Sequence, residues 1–99
     1  MLIHVQLKLL ATRPPDNPIQ SGYRSPWWIR PLEPNLPDQT LGTGRLWLQR
    51  PLDTQSFTAA IIEPLVEDTW SNLKVGDFIE CREGIKPTLY AKVTRILKD

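Results

Sequence analysis

The sequence predicts a small all-β domain, a barrel or a sandwich of short strands, and three observations lead there. Apolar residues recur with a period of two in several short segments, the pattern of half-buried strands. Ten prolines, seven of them between Pro14 and Pro37, preclude a long helix through the first third, because proline lacks the N–H and clashes with the preceding turn. Ninety-nine residues, 40 % of them hydrophobic, suffice for one core and one domain spanning residues 1–99.

Each element follows from its own residues. Ile3, Val5, Leu7 and Leu9 alternate with His4, Gln6 and Lys8, giving a first strand. Thr12 to Gln20 is a stiff, breaker-rich loop. Gly22 opens GYRSPWWIR, whose aromatic and branched residues favour a second strand, with Pro26 marking an edge or a bulge. Leu32 to Gln39 forms a second proline loop. Arg45 to Gln49 alternates around Leu46 and Leu48 and makes a third strand, closed by Pro51. Ser56 to Glu63 makes a fourth. A short helical turn is expected near residues 67–73, with Glu67 and Asp68 at its start and Trp70 able to plug one end of a barrel. Lys74-Val75-Gly76-Asp77 is a turn into a fifth strand, Phe78 to Glu83, and Leu89 to Leu97 forms the sixth.

Composition excludes several functions. Lys and Arg exceed Asp and Glu by only one, which removes the strongest mark of a phosphate binder. Residues 1–50 hold six basic and three acidic side chains, and residues 51–99 hold six and eight. Mixed charge of this kind favours a protein partner over RNA. One cysteine rules out an internal disulfide framework, and with a single histidine argues against a structural metal. No apolar run approaches the ~18 residues of a membrane span. A soluble, cytoplasmic domain without cofactor or membrane association is expected.

The order of landmarks resembles the C-terminal β-barrel domain of elongation factor Tu and related translational GTPases. The opening strand IHVQLKLLA, Gly22-Tyr23-Arg24 with Pro26, Gly42-Thr43-Gly44 before the third strand, and Arg82-Glu83-Gly84 before the last are similar to that domain's landmarks. Each motif is weak alone, but together they cover Ile3 to Leu97 in the right order. The resemblance implies a six-stranded antiparallel Greek-key barrel, with Gly42-Thr43-Gly44 as a turn. The chain departs from the pattern at Trp27 and Trp28, at Arg50 to Gln55, and in a longer Thr69–Asp77 segment. No GxxxxGK[ST] run or guanine-specificity motif occurs, so no GTP binding is expected of this chain.

The expected function is that of a non-catalytic protein-binding module. Tyr23, Arg24, Trp27, Trp28 and Arg30 are the candidate partner-binding residues, since Trp beside Arg is typical of interaction hot spots. A second copy, a translation-associated protein or a toxin would fit as partner. The alternative is structured RNA, including tRNA, for which the resemblance implies a surface at Arg82, Glu83 and Gly84; Arg24 and Lys86 complete it. In a regular strand Trp27 and Trp28 point to opposite faces. Trp47 is likewise opposed to Leu46 and Leu48, so either it or they face the core. His4 reads as a solvent-side strand residue and Cys81 as a small strand residue. A nucleophile–base pair built from them is disfavoured.

Overall fold

A computed structural model describes residues 1–10, 18–29, 40–52, 56–83 and 86–98. Six strands form a closed antiparallel barrel: β1 (Leu2–Leu9), β2 (Tyr23–Ile29), β3 (Thr40–Trp47), β4 (Thr58–Pro64), β5 (Phe78–Glu83) and β6 (Lys86–Leu97). Around the barrel they run β1-β4-β3-β2-β5-β6, and β6 pairs back with β1. Strands β2, β3 and β4 are consecutive neighbours, and β1 lies beside β4. That arrangement is a Greek key. The connections β1 to β2 and β4 to β5 therefore lie at opposite ends of the barrel.

Alternation decides the faces. Ile3, Val5, Leu7 and Leu9 of β1, Leu46 of β3, Ile62 of β4, Ile79 and Cys81 of β5, and Leu89, Ala91 and Val93 of β6 all point inward and are buried. A bulge between β1 and β6 keeps both patterns in phase. His4 pairs with Arg95 and Val5 with Val93, leaving Thr94 over, and the Thr94 hydroxyl donates to the His4 carbonyl at 3.1 Å. Pro26 fits because β2 pairs with β5 only from Trp27 to Ile29, so the missing N–H at 26 costs no ladder bond on that side.

One end is closed by the β4–β5 connection. Glu67–Trp70 forms a single 3-10 turn, and Trp70 is buried to 1 % exposure. Its indole packs against β3, where a Cβ on Gly42 would come within 2.5 Å of Nε1 and one on Gly44 would meet Ile62 Cγ2 at 2.7 Å and Trp70 Cζ2 at 3.2 Å. Lys74–Asp77 follows as a reverse turn. Asp77 N–H donates to the Lys74 carbonyl at 3.0 Å, and Gly76 takes φ +96°, where glycine is favoured. At the other end, in the described part of the β1–β2 connection, buried Ile19 exchanges two backbone hydrogen bonds with buried Leu52, at 2.8 and 2.9 Å.

Two sequence expectations are corrected. Gly42-Thr43-Gly44 is not a turn but the body of β3, paired with Pro26 and its neighbours on β2. Glycine looks like a breaker in sequence, yet here it makes room for Trp70. The sixth strand begins at Lys86 rather than Leu89, with Pro87 opposite Arg82 at an irregularity in the β5–β6 register. The two proline loops at 12–20 and 32–39 lie mostly outside the described residues.

Gly42→Ala should lower the melting temperature by roughly 5–20 °C, given ~1–3 kcal/mol for overpacking in a domain of this size. Combining it with Trp70→Leu, which removes the ring atoms Nε1 and Cε2 that the new methyl would meet, should cost less than the sum of the single changes. Calorimetric melts of the single and double variants test this, and strict additivity would contradict it.

Candidate functional site

The sequence-selected residues separate into two environments. Trp27 is fully buried inside the barrel, so it cannot touch a partner and is withdrawn as a binding residue. Strand parity makes one of the adjacent tryptophans core, and it is this one. Tyr23 also lies on the inward side, partly buried against the core. Arg24 and Trp28 project outward, Arg24 exposed and Trp28 half-buried. Arg30 and Gly84 lie outside the described residues, while Glu83 and Lys86 are backbone register partners of β5 and β6.

The outer face at β2–β5 is mostly engaged within the chain, although Arg82 Nε is buried without a hydrogen-bond partner. Trp28 stands opposite Glu80, and the Arg82 guanidinium lies 4.9 Å from the Trp28 ring centroid. Arg82 Nη2 also donates to Glu80 Oε1 at 2.7 Å. With Arg82 about four-fifths buried, its charge is held between a ring and a carboxylate. A phosphate would have to displace one of them. Further round, Phe78 and Tyr90 stack at 5.1 Å with Lys92 over the Phe78 ring, and Phe78 keeps 39 % of its surface exposed.

A different outer wall is open. In β3 it is Leu46 that faces the core, and Trp47 points outward with 40 % of its surface exposed. The Trp47 indole N–H donates to Glu63 Oε1 at 3.4 Å, and Arg45 lies 5.7 Å from the ring centroid. Beside Trp47 runs a cavity of about 360 Å³, walled by Trp47, Leu48 and Gln49 on one side and Ala59, Ala60 and Ile61 on the other, with Ser21 and His4 at its margins. The gap has a topological cause. Strands β3 and β4 pair only from Gly44–Pro64 to Trp47–Ile61, whereas β4 continues to pair with β1 as far as Thr58. Leu48 turns away, its N–H donating to Ser21 Oγ at 2.9 Å. Among the described residues, Thr58–Ala60 therefore has a strand neighbour on one side only.

Charge is uneven around this wall. His4 and Lys8 project outward from β1, Arg95 pairs with His4 from β6, and Lys92 pairs with Gln6. Arg45 lies opposite Glu63, and exposed Arg50 follows Gln49. Lys8 lies 5.4 Å from the ring centroid of Phe57, itself 56 % exposed. The two exposed aromatic rings beside the gap each carry a cation, and Glu63 is the acid among these residues. The sequence left Trp47 undecided because Leu46 and Leu48 flank it equally, and the gap is a property of pairing between distant segments with no local signal.

Cys81 and His4 cannot act together. Cys81 faces the interior at 0 % exposure, its thiol donating to Ser25 Oγ at 3.1 Å. His4 lies on the outer face of β1. Among the described residues no group of three or more His, Cys, Asp or Glu is placed to hold a metal ion. No helix among them is long and apolar enough to cross a membrane. No protein-family model and no curated protein matches the chain.

The Cys81 thiol should react with a disulfide reagent at neutral pH only at the rate of barrel opening, and fully in guanidinium. Stoichiometric reaction within seconds in native buffer would contradict the buried placement.

Proposed function

We propose that the chain is a non-catalytic protein-binding module on a barrel like the C-terminal domain of elongation factor Tu, docking its partner on the outer wall of β3 and β4. The ordered motifs from Ile3 to Leu97 support that likeness, and so does a Greek-key barrel of six antiparallel strands, the topology the likeness requires. The observation that carries the docking reading is Trp47, a large ring 40 % exposed beside a cavity. Tryptophan with an arginine on its face, surrounded by smaller residues, has the composition of an interface hot spot. A closed barrel also presents this wall rigidly, which lowers the ordering loss on association. Arg24 lies directly opposite Arg45 in the β2–β3 register and extends the same surface toward the sequence-selected strand. RNA binding through Arg82 is the weaker reading, because that guanidinium is already engaged by Trp28 and Glu80.

Photo-cross-linking tests the proposal. With benzoylphenylalanine in place of Trp47, irradiation of cells making the chain should give a discrete protein adduct. The same residue in place of Val75, exposed on the β4–β5 turn, should not. Adducts to RNA alone, or none from either position, would overturn the reading. In the purified complex, Trp47→Ala should weaken binding by about tenfold or more with little change in melting temperature.

A further inference from the structure

Resting on that protein-binding reading, we infer that the gap between β3 and β4 takes a short extended segment of an acidic protein. The segment adds as a strand to the free edge of Thr58–Ala60. Three observations converge on this occupant.

The first is the edge itself. Thr58, Ala59 and Ala60 are held by Leu7, Gln6 and Val5 of β1, while the β3 register stops at Trp47–Ile61. In an antiparallel strand, successive residues direct their N–H and C=O to opposite neighbours. At least one of the three therefore offers both groups toward the gap. An incoming backbone satisfies such groups as strand addition does, and a nucleic acid backbone carries no alternating N–H and C=O to match them.

Shape is the second. The cavity of about 360 Å³ has an apolar lining at Leu48, Ala59, Ala60 and Ile61. At roughly 3.3 Å of rise per residue, the three-residue edge accommodates only a few residues of ladder. One aliphatic side chain of the incoming segment seats against Trp47 and Ile61, and the residues on either side point away from the floor. Ala59 is the small residue on which this clearance depends.

Charge complementarity selects the flanking residues. Arg45 and Arg50 lie toward one side of the gap and Lys8 toward the other, with Arg95 farther round on β6. Glu63 lies opposite Arg45 and offsets one of these cations, leaving Arg50, Lys8 and Arg95 in excess on this wall. A basic flanking residue would meet cations on both sides, whereas an acidic one is attracted from both. The chain as a whole is only +1, so the preference belongs to this wall. Electrostatic attraction of this type speeds encounter and weakens with salt.

Fluorescence anisotropy with the full chain tests the inference directly, using a labelled peptide that alternates Glu with Val. The Glu/Val peptide should bind, and the same peptide alternating Lys with Val should not. Replacing every second residue by proline, which deletes backbone N–H donors, should weaken binding by about tenfold or more. Trp47→Ala and Ala59→Glu should each do the same, and circular dichroism melts confirm that both variants fold. Equal binding of the Lys/Val peptide, or indifference to both proline and Ala59→Glu, overturns the inference. So does tighter binding of a single-stranded oligonucleotide of matched charge. If a protein cross-links at position 47 and the peptide fails to compete, docking on the wall stands and strand addition falls. If neither occurs, both fall.

Discussion

The fold depends on how one indole closes the barrel. A six-stranded barrel has an interior just wide enough for side chains, and its ends must be sealed without burying unpaired backbone. Trp70 seals one end from a turn only four residues long, and β3 yields the space by carrying glycine at 42 and 44. Trp27 reaches the same region from β2, with its Cδ1 3.5 Å from a Cβ placed on Gly44. Two indoles and two glycines thus form a complementary set, large against small, in place of the aliphatic layer that fills the rest of the barrel. Both indole N–H groups are buried without a hydrogen-bond partner. That penalty is offset by the large apolar area each ring removes from water.

Toward the opposite end the barrel wall opens. The pairing of β3 with β4 runs only from Gly44 to Trp47. The strands then separate, and Leu48 hydrogen-bonds to the β1–β2 connection at Ser21. The surface proposed for docking is thus a by-product of where the two strands part company. Inside, alternation is spent on packing. Outside, the same alternation sets Trp47, Ile61 and Ala59 side by side on one wall.

Much of the fold was legible in the residues. β1 and β5 were readable because their local pattern and tertiary role agree, the inward residues being the branched or small apolar ones. Trp70 as an end plug was readable from its place on the only acidic helical turn. The start of β3 was hidden, since glycine that serves packing and glycine that serves a turn look alike in sequence. The first residues of β6 were hidden by Pro87, tolerated where the ladder is irregular. For the site, parity said that one of Trp27 and Trp28 was core but not which. The exposed tryptophan that matters most was ambiguous because both of its neighbours are leucine. Pairing limits between β3 and β4 depend on residues about fifteen positions apart, and no local pattern encodes them.

The central claim is that Thr58–Ala60 presents an open strand edge beside Trp47. Amide hydrogen exchange resolved by residue tests it most directly. In the free chain, at least one amide of Thr58–Ala60 should exchange far faster than the flanking Ile62 amide. It should then slow on addition of an acidic, aliphatic-alternating peptide. Uniform strong protection of all three amides in the free chain would mean that the edge is not open, and would contradict the account.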